Sequence, residues 1–328
     1  MLVFKGCEAV LEANPDIGEV VAVSERPGFF EHLSLVARLR RRYDLAVSLL
    51  AGDRPTLYAW LAGRRRVGTL IDDDANRWKR RLLDAWVPFD NLHTHTVAMN
   101  LRVVAQLGIA AKATPVLSWP PAAAASAREL IAGLGGARFA VLHVSPKFVY
   151  KSWTAEGWGQ MAQALAAEGL RVIIAGGASP EERTFVQSLL PAMPENVMNL
   201  AGKIDLATLG CLISQAALYV GTDTAVTHMA AASGIPTVAL FGPSNPVKWG
   251  PWPAGFGAKL PSPWQMRGSG RAGNVFLVQG ETHCVPCLQE GCERHVNSRS
   301  DCLQHLPAAR VIDAARAVMT ARSPDAKP

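Results

Sequence analysis

The sequence lacks several features that mark common classes of protein. No apolar run reaches the roughly 18–20 residues that a membrane-spanning helix needs, so a transmembrane protein is not expected. The first residues, Met1 to Cys7, lack a basic region followed by an apolar core, so no signal peptide is expected either. Only 18% of the residues are charged and 49% are hydrophobic, which excludes disorder over most of the chain.

Cysteines are few, and basic and acidic residues are balanced along the chain. Six cysteines in 328 residues are too sparse for a disulfide scaffold, so the expected location is the reducing cytoplasm. The 33 basic and 27 acidic residues are spread evenly, and without a basic stripe no nucleic-acid partner is expected. The net charge of +6 better suits an anionic small substrate or a phosphate-bearing membrane surface.

Short apolar, β-branched runs alternate with amphipathic stretches of helical length, which predicts an α/β protein. In the second half the expected strands are 138–144, 171–175, 197–200, 217–220 and 237–241, and the expected helices are 155–168, 180–190, 206–215 and 225–233. This spacing predicts a doubly wound parallel sheet covered on both faces by helices. A ligand of such a sheet is expected at the carboxyl ends of its strands.

The first half shows the same alternation with fewer elements. Strands are expected at 20–24, 45–50 and 67–71, and helices near 32–42, 55–62 and 93–107. The chain opens on a helix-like stretch, 6–13, so the domain is expected to lack its first strand, which we expect in a longer natural product. The proline-rich stretch 113–125 predicts a linker between two domains. The expected division is a domain over 1–120, a second over 121–322 and a disordered tail over 323–328.

The strongest chemical signal is a polar loop, 221–224, between an expected strand and an expected helix. Backbone N–H groups at the start of that helix lack partners and carry partial positive charge, which suits a diphosphate. Asp223 and Thr224 are also common N-capping residues, so capping and ligand binding both remain open. His228, one turn into the helix, is either a packing residue or a catalyst.

Three further polar loops are expected at the same edge of the sheet. Lys151 stands after the first strand of the second half, either where a phosphate would approach or as a solvated lysine. In the loop 176–181, glycines permit close approach of a ligand. Glu181 there would accept from ribose hydroxyls or would simply favour the helix dipole. A rigid Gly/Pro loop, 242–246, completes the set, and four such loops on one edge predict a binding site.

Taken in order, these segments resemble glycosyltransferase family 9, the lipopolysaccharide heptosyltransferases. The motifs that carry the resemblance are Lys151-Ser152-Trp153, the 176–181 loop, the stretch 223–228 and Phe241-Gly242-Pro243-Ser244-Asn245-Pro246. The resemblance runs from about residue 1 to about residue 320. It implies a GT-B fold, in which two Rossmann-like doubly wound domains face a cleft and the C-terminal domain binds the nucleotide-sugar.

The resemblance also implies a function. An inverting transfer would move heptose from ADP-heptose to an inner-core lipopolysaccharide precursor at the inner membrane surface, with no further cofactor required. The residues implied to bind substrate are Ser145 and Lys151 for the donor phosphates, Glu181 for the ribose, Ile204 for the adenine, Asp223, Thr224 and Ala225 for the diphosphate and heptose, and His228 in the same motif. The family commonly has glycine where Ala225 stands, and the methyl group would narrow the approach to the phosphates. The family's presumed base would lie upstream of Met1, so no catalytic residue is assigned.

A cysteine cluster near the C-terminus has two possible chemical interpretations. Cys284, Cys287, Cys292 and Cys302 have a spacing compatible with a tetrahedral zinc site, but buried or reduced thiols are the favoured interpretation. His283, His295 and His305 would be alternative ligands, which leaves the ligand set of the segment 284–302 open. Two rival functions follow: a zinc-stabilised interaction protein, and a non-catalytic remnant that binds a nucleotide-sugar.

Basic runs occur in the first half, at 40–42, 64–66 and 77–81. Such runs are usually solvated faces. Because a lipopolysaccharide acceptor is a phosphorylated lipid, they also suggest peripheral contact with the inner membrane.

Overall fold

The computed structural model describes residues 1–110, 112–257 and 260–320, so the predicted tail 323–328 lies outside the described residues. The chain divides into two compact units. The first contains Met1–Glu8, Ile17–Ala113 and Gly257–Ser262. The second contains Ala9–Asp16, Thr114–Phe256 and the chain from Pro263 onward.

The described residues of the first unit form two small parallel sheets, three α-helices and a 3-10 helix, Arg77–Arg81. In chain order its elements are β1 (Leu2–Phe4), β2 (Val21–Val23), α1 (Phe29–Leu39), β3 (Tyr43–Ser48), α2 (Asp53–Ala62), β4 (Gly63–Leu70), β5 (Ala85–Pro88) and α3 (Thr96–Ala105). β1 pairs with β2, while β3, β4 and β5 form a separate sheet in that order. One small core forms around Val21, Val23 and Leu35, and another around Val67 and Met99.

Two expectations for the first half are wrong. The chain opens on a strand, β1, and the stretch expected to be helical holds only a single 3-10 turn, Glu8–Val10. Three residues are too few to show a period, so only the pairing of Leu2 with Val21 reveals the strand. The expected linker 113–125 ends early, because Pro121 and the alanines after it begin a helix. Proline at the first helical position followed by alanine is a strong helix start.

The second unit is built on one seven-stranded sheet. Its strands are β6 (Phe139–His143), β7 (Arg171–Ala175), β8 (Met198–Asn199), β9 (Leu218–Thr222), β10 (Thr237–Phe241), β11 (Gly270–Ala272) and β12 (Val275–Gln279). They lie in the order β11-β12-β10-β9-β6-β7-β8. All neighbours are parallel except β11 and β12. Each strand predicted for the second half is present, whereas β11 and β12 were not predicted.

Helices cover both faces of this sheet. They are α4 (Pro121–Ala132), α5 (Ala155–Ala167), α6 (Pro180–Leu189), α7 (Leu206–Ile213), α8 (Ala225–Ala232), α9 (Pro246–Trp249), α10 (Asp301–Gln304) and α11 (Ala308–Thr320). Alternate residues of β6 belong to different cores: Ala140 and Leu142 pack with α5 and α11, whereas Phe139 and Val141 pack with α4 and α7. This alternation confirms the predicted doubly wound sheet. Among the described residues, no helix has the length and apolar character that crossing a bilayer requires.

Candidate functional site

A cavity of about 440 Å³ opens at the carboxyl edge of the second unit's sheet. Its walls come from the loops after β6, β7 and β9 and from the starts of α7 and α8. The lining residues are His143, Ser145, Lys147, Phe148, Lys151, Gly176, Gly177, Glu182, Ile204, Asp205, Leu206, Leu209, Asp223, Thr224, Ala225 and Val226. The carboxyl ends of parallel strands in an open α/β sheet are the usual place for a ligand.

Most of the predicted substrate-binding residues line this cavity. Those that do are Ser145, Lys151, Ile204, Asp223, Thr224 and Ala225, and those outside the lining are Glu181 and His228. Glu181 is exposed on α6, and its neighbour Glu182 lies in the lining instead. His228 is half-buried on α8, where burial lowers its pKa, the charge of Asp223 opposes that change, and Lys151 adds to it.

An ion pair stands in the cavity wall. Lys151 Nζ lies 2.6 Å from Asp223 Oδ2, and the two side chains are 20% and 9% exposed. Water screens so sheltered a pair less than it screens a surface salt bridge. The pair places one cation where an anionic ligand would enter.

The start of α8 distinguishes capping from ligand binding. Thr224 occupies the N-cap position, but its side chain makes no capping hydrogen bond. The carboxylate of Asp223 is directed at Lys151. The first backbone N–H groups of α8 therefore lack a side-chain cap, which leaves them available to an anion. This geometry favours the ligand-binding interpretation of the 221–224 loop.

Hydrogen bonds of two buried side chains hold the 221–224 loop in place. The hydroxyl of Thr227 donates to the carbonyl oxygen of Thr222 at 2.5 Å and lies 2.9 Å from the hydroxyl of Tyr219. Position 221 must be glycine, since a Cβ there would stand 2.3 Å from the Tyr219 hydroxyl. Sequence reasoning included Thr227 only within the 223–228 motif and missed Tyr219, whose one signal was a polar hydroxyl within an otherwise apolar strand.

A second cation enters the site from the loop after β6. Lys147 lines the cavity together with Phe148, and its Nζ lies 5.5 Å from the centroid of the Phe148 ring. Sequence reasoning missed Lys147, although it follows Pro146 just beyond the end of a predicted strand. Two lysines at one cavity are suited to a ligand that carries more than one negative charge.

The glycine loop after β7 explains why Glu182 and Glu181 differ. The carboxylate of Glu182 folds back and accepts from the backbone N–H of Gly177 at 3.1 Å. Ser179, the N-cap of α6, accepts from the backbone N–H of Glu182 at 3.2 Å. A Cβ at position 177 would stand 2.2 Å from the Glu182 carboxylate, so a side chain there would displace that carboxylate from its bond to the Gly177 N–H. Glu182 consequently faces the cavity and Glu181 faces solvent.

One wall of the cavity is largely apolar. Ile204, Leu206 and Leu209 line it at the start of α7. Asp205 caps that helix by accepting from the backbone N–H of Thr208 at 2.7 Å, which lowers the pKa of the carboxyl. A flat, largely apolar ring such as a nucleobase would pack well against such a wall.

One buried histidine also lines the cavity. His143 ends β6, and its Nδ1 has no hydrogen-bond partner within the described residues. Burial lowers the pKa of His143 to about 4, so the ring is neutral at physiological pH.

The cysteine segment forms a separate cavity of about 260 Å³. Its lining includes Cys284, Cys287, Cys292 and Cys302, together with His283, His305 and Asp301. All six cysteines of the chain are free thiols. Across the described ranges, no group of three or more His, Cys, Asp or Glu is arranged to hold a metal ion. The structure therefore gives the zinc interpretation no support, and reduced thiols describe the segment as it stands.

The basic runs of the first half are largely paired with acidic neighbours. Arg66 makes an ion pair with Asp84, and Arg77 makes one with Asp74. Lys79 is buried, and its Nζ lies 2.5 Å from Asp53. The two arginine pairs agree with a folded, solvated face, whereas Lys79 lies inside the unit, and membrane contact by these runs stays a prediction.

The doubly wound sheet, with a cavity at its carboxyl edge lined by two lysines and several apolar side chains, defines an α/β protein with a candidate site for a phosphorylated ligand. The model of glycosyltransferase family 9 (heptosyltransferase) matches residues 33–258. The chain therefore belongs to glycosyltransferase family 9 and is an enzyme of the glycosyltransferase class, as the sequence motifs predicted.

Individual relatives agree with this assignment. Lipopolysaccharide heptosyltransferase 3 of Escherichia coli is 27% identical over 263 residues, which span 77% of this chain and 76% of the relative. A family 9 glycosyl transferase from Veillonella parvula DSM 2008 superposes with a TM-score of 0.75 at 19% identity, covering 98% of this chain and 88% of its own. The E. coli ADP-heptose lps heptosyltransferase II superposes with a TM-score of 0.69 at 19% identity. This superposition covers 97% of this chain and 88% of the E. coli chain. These solved structures confirm the predicted GT-B fold class.

Proposed function

We propose that this protein transfers heptose from ADP-heptose to a lipopolysaccharide core acceptor, with inversion at the anomeric carbon. The observation that carries the proposal is the cavity of the second unit, which combines two lysines, an uncapped helix start and an apolar wall. Each feature matches one part of a nucleotide-diphosphate sugar. Relatives named for lipopolysaccharide heptose transfer, and the solved E. coli heptosyltransferase WaaC with ADP, support the same donor.

The donor would occupy the cavity as follows. Lys151, Ser145 and the backbone N–H groups at Thr224 and Ala225 would hold the diphosphate. The adenine would pack against the apolar wall at Ile204. We assign the ribose contact to Glu182, because its carboxylate lines the cavity whereas that of Glu181 faces solvent.

In the proposed reaction a hydroxyl of the acceptor attacks the anomeric carbon of the heptose. The bond from that carbon to the phosphate oxygen of ADP breaks, and ADP leaves with the bonding electrons. Negative charge grows on the departing diphosphate, where Lys151 and the start of α8 would stabilise it. The proton of the attacking hydroxyl passes to a base, and we assign that role to no residue of the described chain.

The location follows from the acceptor. Because a lipopolysaccharide precursor is a membrane lipid made on the cytoplasmic side, we place the protein in the cytoplasm with peripheral contact to the inner membrane. The first-half arginines at 40–42 and 64–66 would contribute to that contact. The rival interpretations, a zinc-stabilised interaction protein and a non-catalytic remnant, receive no comparable support from the site or the family match.

The test combines binding with transfer. In calorimetry ADP should bind, and UDP should bind at least about tenfold more weakly because its smaller ring buries less apolar surface against Ile204. Heptose should then pass from ADP-heptose to a heptose-deficient core, and nuclear magnetic resonance of the product should show the inverted anomer. Binding of ADP without transfer to any core acceptor would favour the non-catalytic remnant, and absence of ADP binding would refute the donor assignment.

A further inference from the structure

The loop that carries Lys151 is held by a segment far away in the sequence. We call residues 300–306 the brace segment and residues 145–153 the lysine loop. The hydroxyl of Ser300 donates to the carbonyl oxygen of Tyr150 at 2.6 Å, and Nε2 of Gln304 donates to the carbonyl oxygen of Ser152 at 2.9 Å. These two carbonyls belong to the residues immediately before and after Lys151.

A third contact joins the same two segments. The indole N–H of Trp153 donates to the carbonyl oxygen of Leu306 at 2.9 Å, and both residues are buried. Three hydrogen bonds therefore join the brace segment to the lysine loop. About 150 residues of chain separate the partners in each case.

Ser300 bonds to the lysine loop instead of capping its own helix. It occupies the N-cap position of α10, where a serine usually accepts from the backbone N–H groups of its own helix. Its side chain makes no such capping bond, and it bonds to Tyr150 instead. The side chain is also only 1% exposed, so water does not compete for it.

The lysine loop has little local structure to hold it. Its backbone forms a single 3-10 turn, Val149–Lys151, with bonds from Lys151 N–H to the Phe148 carbonyl and from Ser152 N–H to the Val149 carbonyl. One isolated turn is marginal in water. The position of the Lys151 ammonium group therefore depends on contacts from outside the loop.

We propose that Ser300 and Gln304 are positioning residues of the donor site, which fix the main chain on both sides of Lys151 so that its ammonium group meets the donor diphosphate. The inference rests on the proposed function in one respect, namely that Lys151 binds phosphate. It also gives the cysteine segment a role that needs no metal: Cys302 lies between the two positioning residues, and its segment is part of the donor site's support.

The experiment measures ADP binding by calorimetry on the whole chain. Ser300→Ala and Gln304→Met should each weaken ADP binding about three- to tenfold, the range expected for the loss of one positioned hydrogen bond. Ser298→Ala is the matched control, because its hydroxyl, in a residue only 3% exposed, donates to the carbonyl of Glu290 at 2.8 Å and does not bond to the lysine loop. That variant should lose similar thermal stability and keep its ADP affinity.

A double-mutant cycle separates positioning from general loosening. Once Lys151 is replaced by alanine, Ser300→Ala should weaken ADP binding no further, since its effect acts through the lysine. Additive losses, or equal losses in Ser298→Ala and Ser300→Ala, would overturn the proposal. If Ser300→Ala does not fold, Gln304→Met carries the same cycle from a half-buried position. Failure of the wild-type chain to bind ADP would instead refute the proposed donor, so the two failures are distinguishable.

Discussion

The two units of this chain bury their apolar residues to very different degrees. In the second unit every residue of β6, β9 and β10 is buried. In the first unit α1 leaves Phe29 and Phe30 71% and 83% exposed, and β3 leaves Leu45 and Val47 exposed. Since buried apolar area is the main source of stability, the second unit should be the more stable and the more rigid. The candidate site stands on that unit.

The difference also explains where sequence reasoning worked. A strand buried on both faces is a continuous apolar run, and Phe139–His143 and Thr237–Phe241 show such runs. In the first unit, Leu2–Phe4 and Ala85–Pro88 are short and not fully buried, so they carried no clear pattern. Those two strands are visible only through the partners with which they pair.

The largest expected effect is a loss of stability, and it compares the packing of the two units. Trp158 is fully buried on α5 and meets Trp153 edge to face, with 5.0 Å between ring centroids. Trp158→Ala should lower the free energy of unfolding by about 3–5 kcal/mol. Phe30→Ala, which removes an exposed ring of the first unit, should change it by less than about 0.5 kcal/mol. Urea unfolding of the two variants measures both values, and comparable losses would show that the units are equally well packed.

The next effect concerns the site on the rigid unit. Lys151→Ala should weaken ADP binding about ten- to a hundredfold, because a charge-assisted bond is worth roughly 1.5–3 kcal/mol and Asp223 loses its partner. Lys203→Ala is the control, since that exposed lysine of the same unit donates to the carbonyl of Asn199 and does not line the cavity. Asp223→Asn should lower the turnover number while leaving the free energy of unfolding nearly unchanged. Calorimetry and the transfer assay measure these changes, and equal affinities in the two lysine variants would remove Lys151 from the site.

The site also marks the limit of what sequence could reveal. Three of the four predicted loops line the cavity, because parallel strands bring their carboxyl ends to a common edge, whereas no residue of the 242–246 loop lines it. Which of two adjacent glutamates faces inward depends on the backbone N–H of Gly177, to which the second one bonds. That choice is set by loop geometry, and no periodicity encodes it. Contacts such as Ser300 with Tyr150, made across half the chain, are equally invisible to local patterns.

A smaller effect should appear on acidification. Burial lowers the pKa of His143 to about 4, against about 6.5 when unfolded. Below pH 6.5 His143 is protonated in the unfolded chain but stays neutral in the folded chain. The free energy of unfolding therefore falls as the pH is lowered from 6.5 towards 4. At pH 5 the loss from this residue is about 2 kcal/mol.

Unfolding at pH 7.5 and pH 5 tests this expectation. His143→Gln should lose less stability on acidification than the parent chain. His93→Gln, which alters an exposed histidine of the first unit, should behave as the parent does. Identical pH dependence in the parent and in His143→Gln would show that the imidazole accepts a proton within the fold.

The smallest expected change is one of thiol reactivity, and it compares the units again. Burial and the neighbouring Cys287, Cys292 and Cys284 raise the pKa of Cys302 to about 12, so its thiolate is scarce at pH 8. Cys7 of the first unit is exposed. Brief alkylation at pH 8, read out by peptide mass spectrometry, should therefore label Cys7 well before Cys302. Urea should abolish the difference, because unfolding removes the burial that protects Cys302. Rapid labelling of Cys302 in the native chain would mean that the brace segment opens readily, and the lysine loop would then lack the fixed support inferred for it.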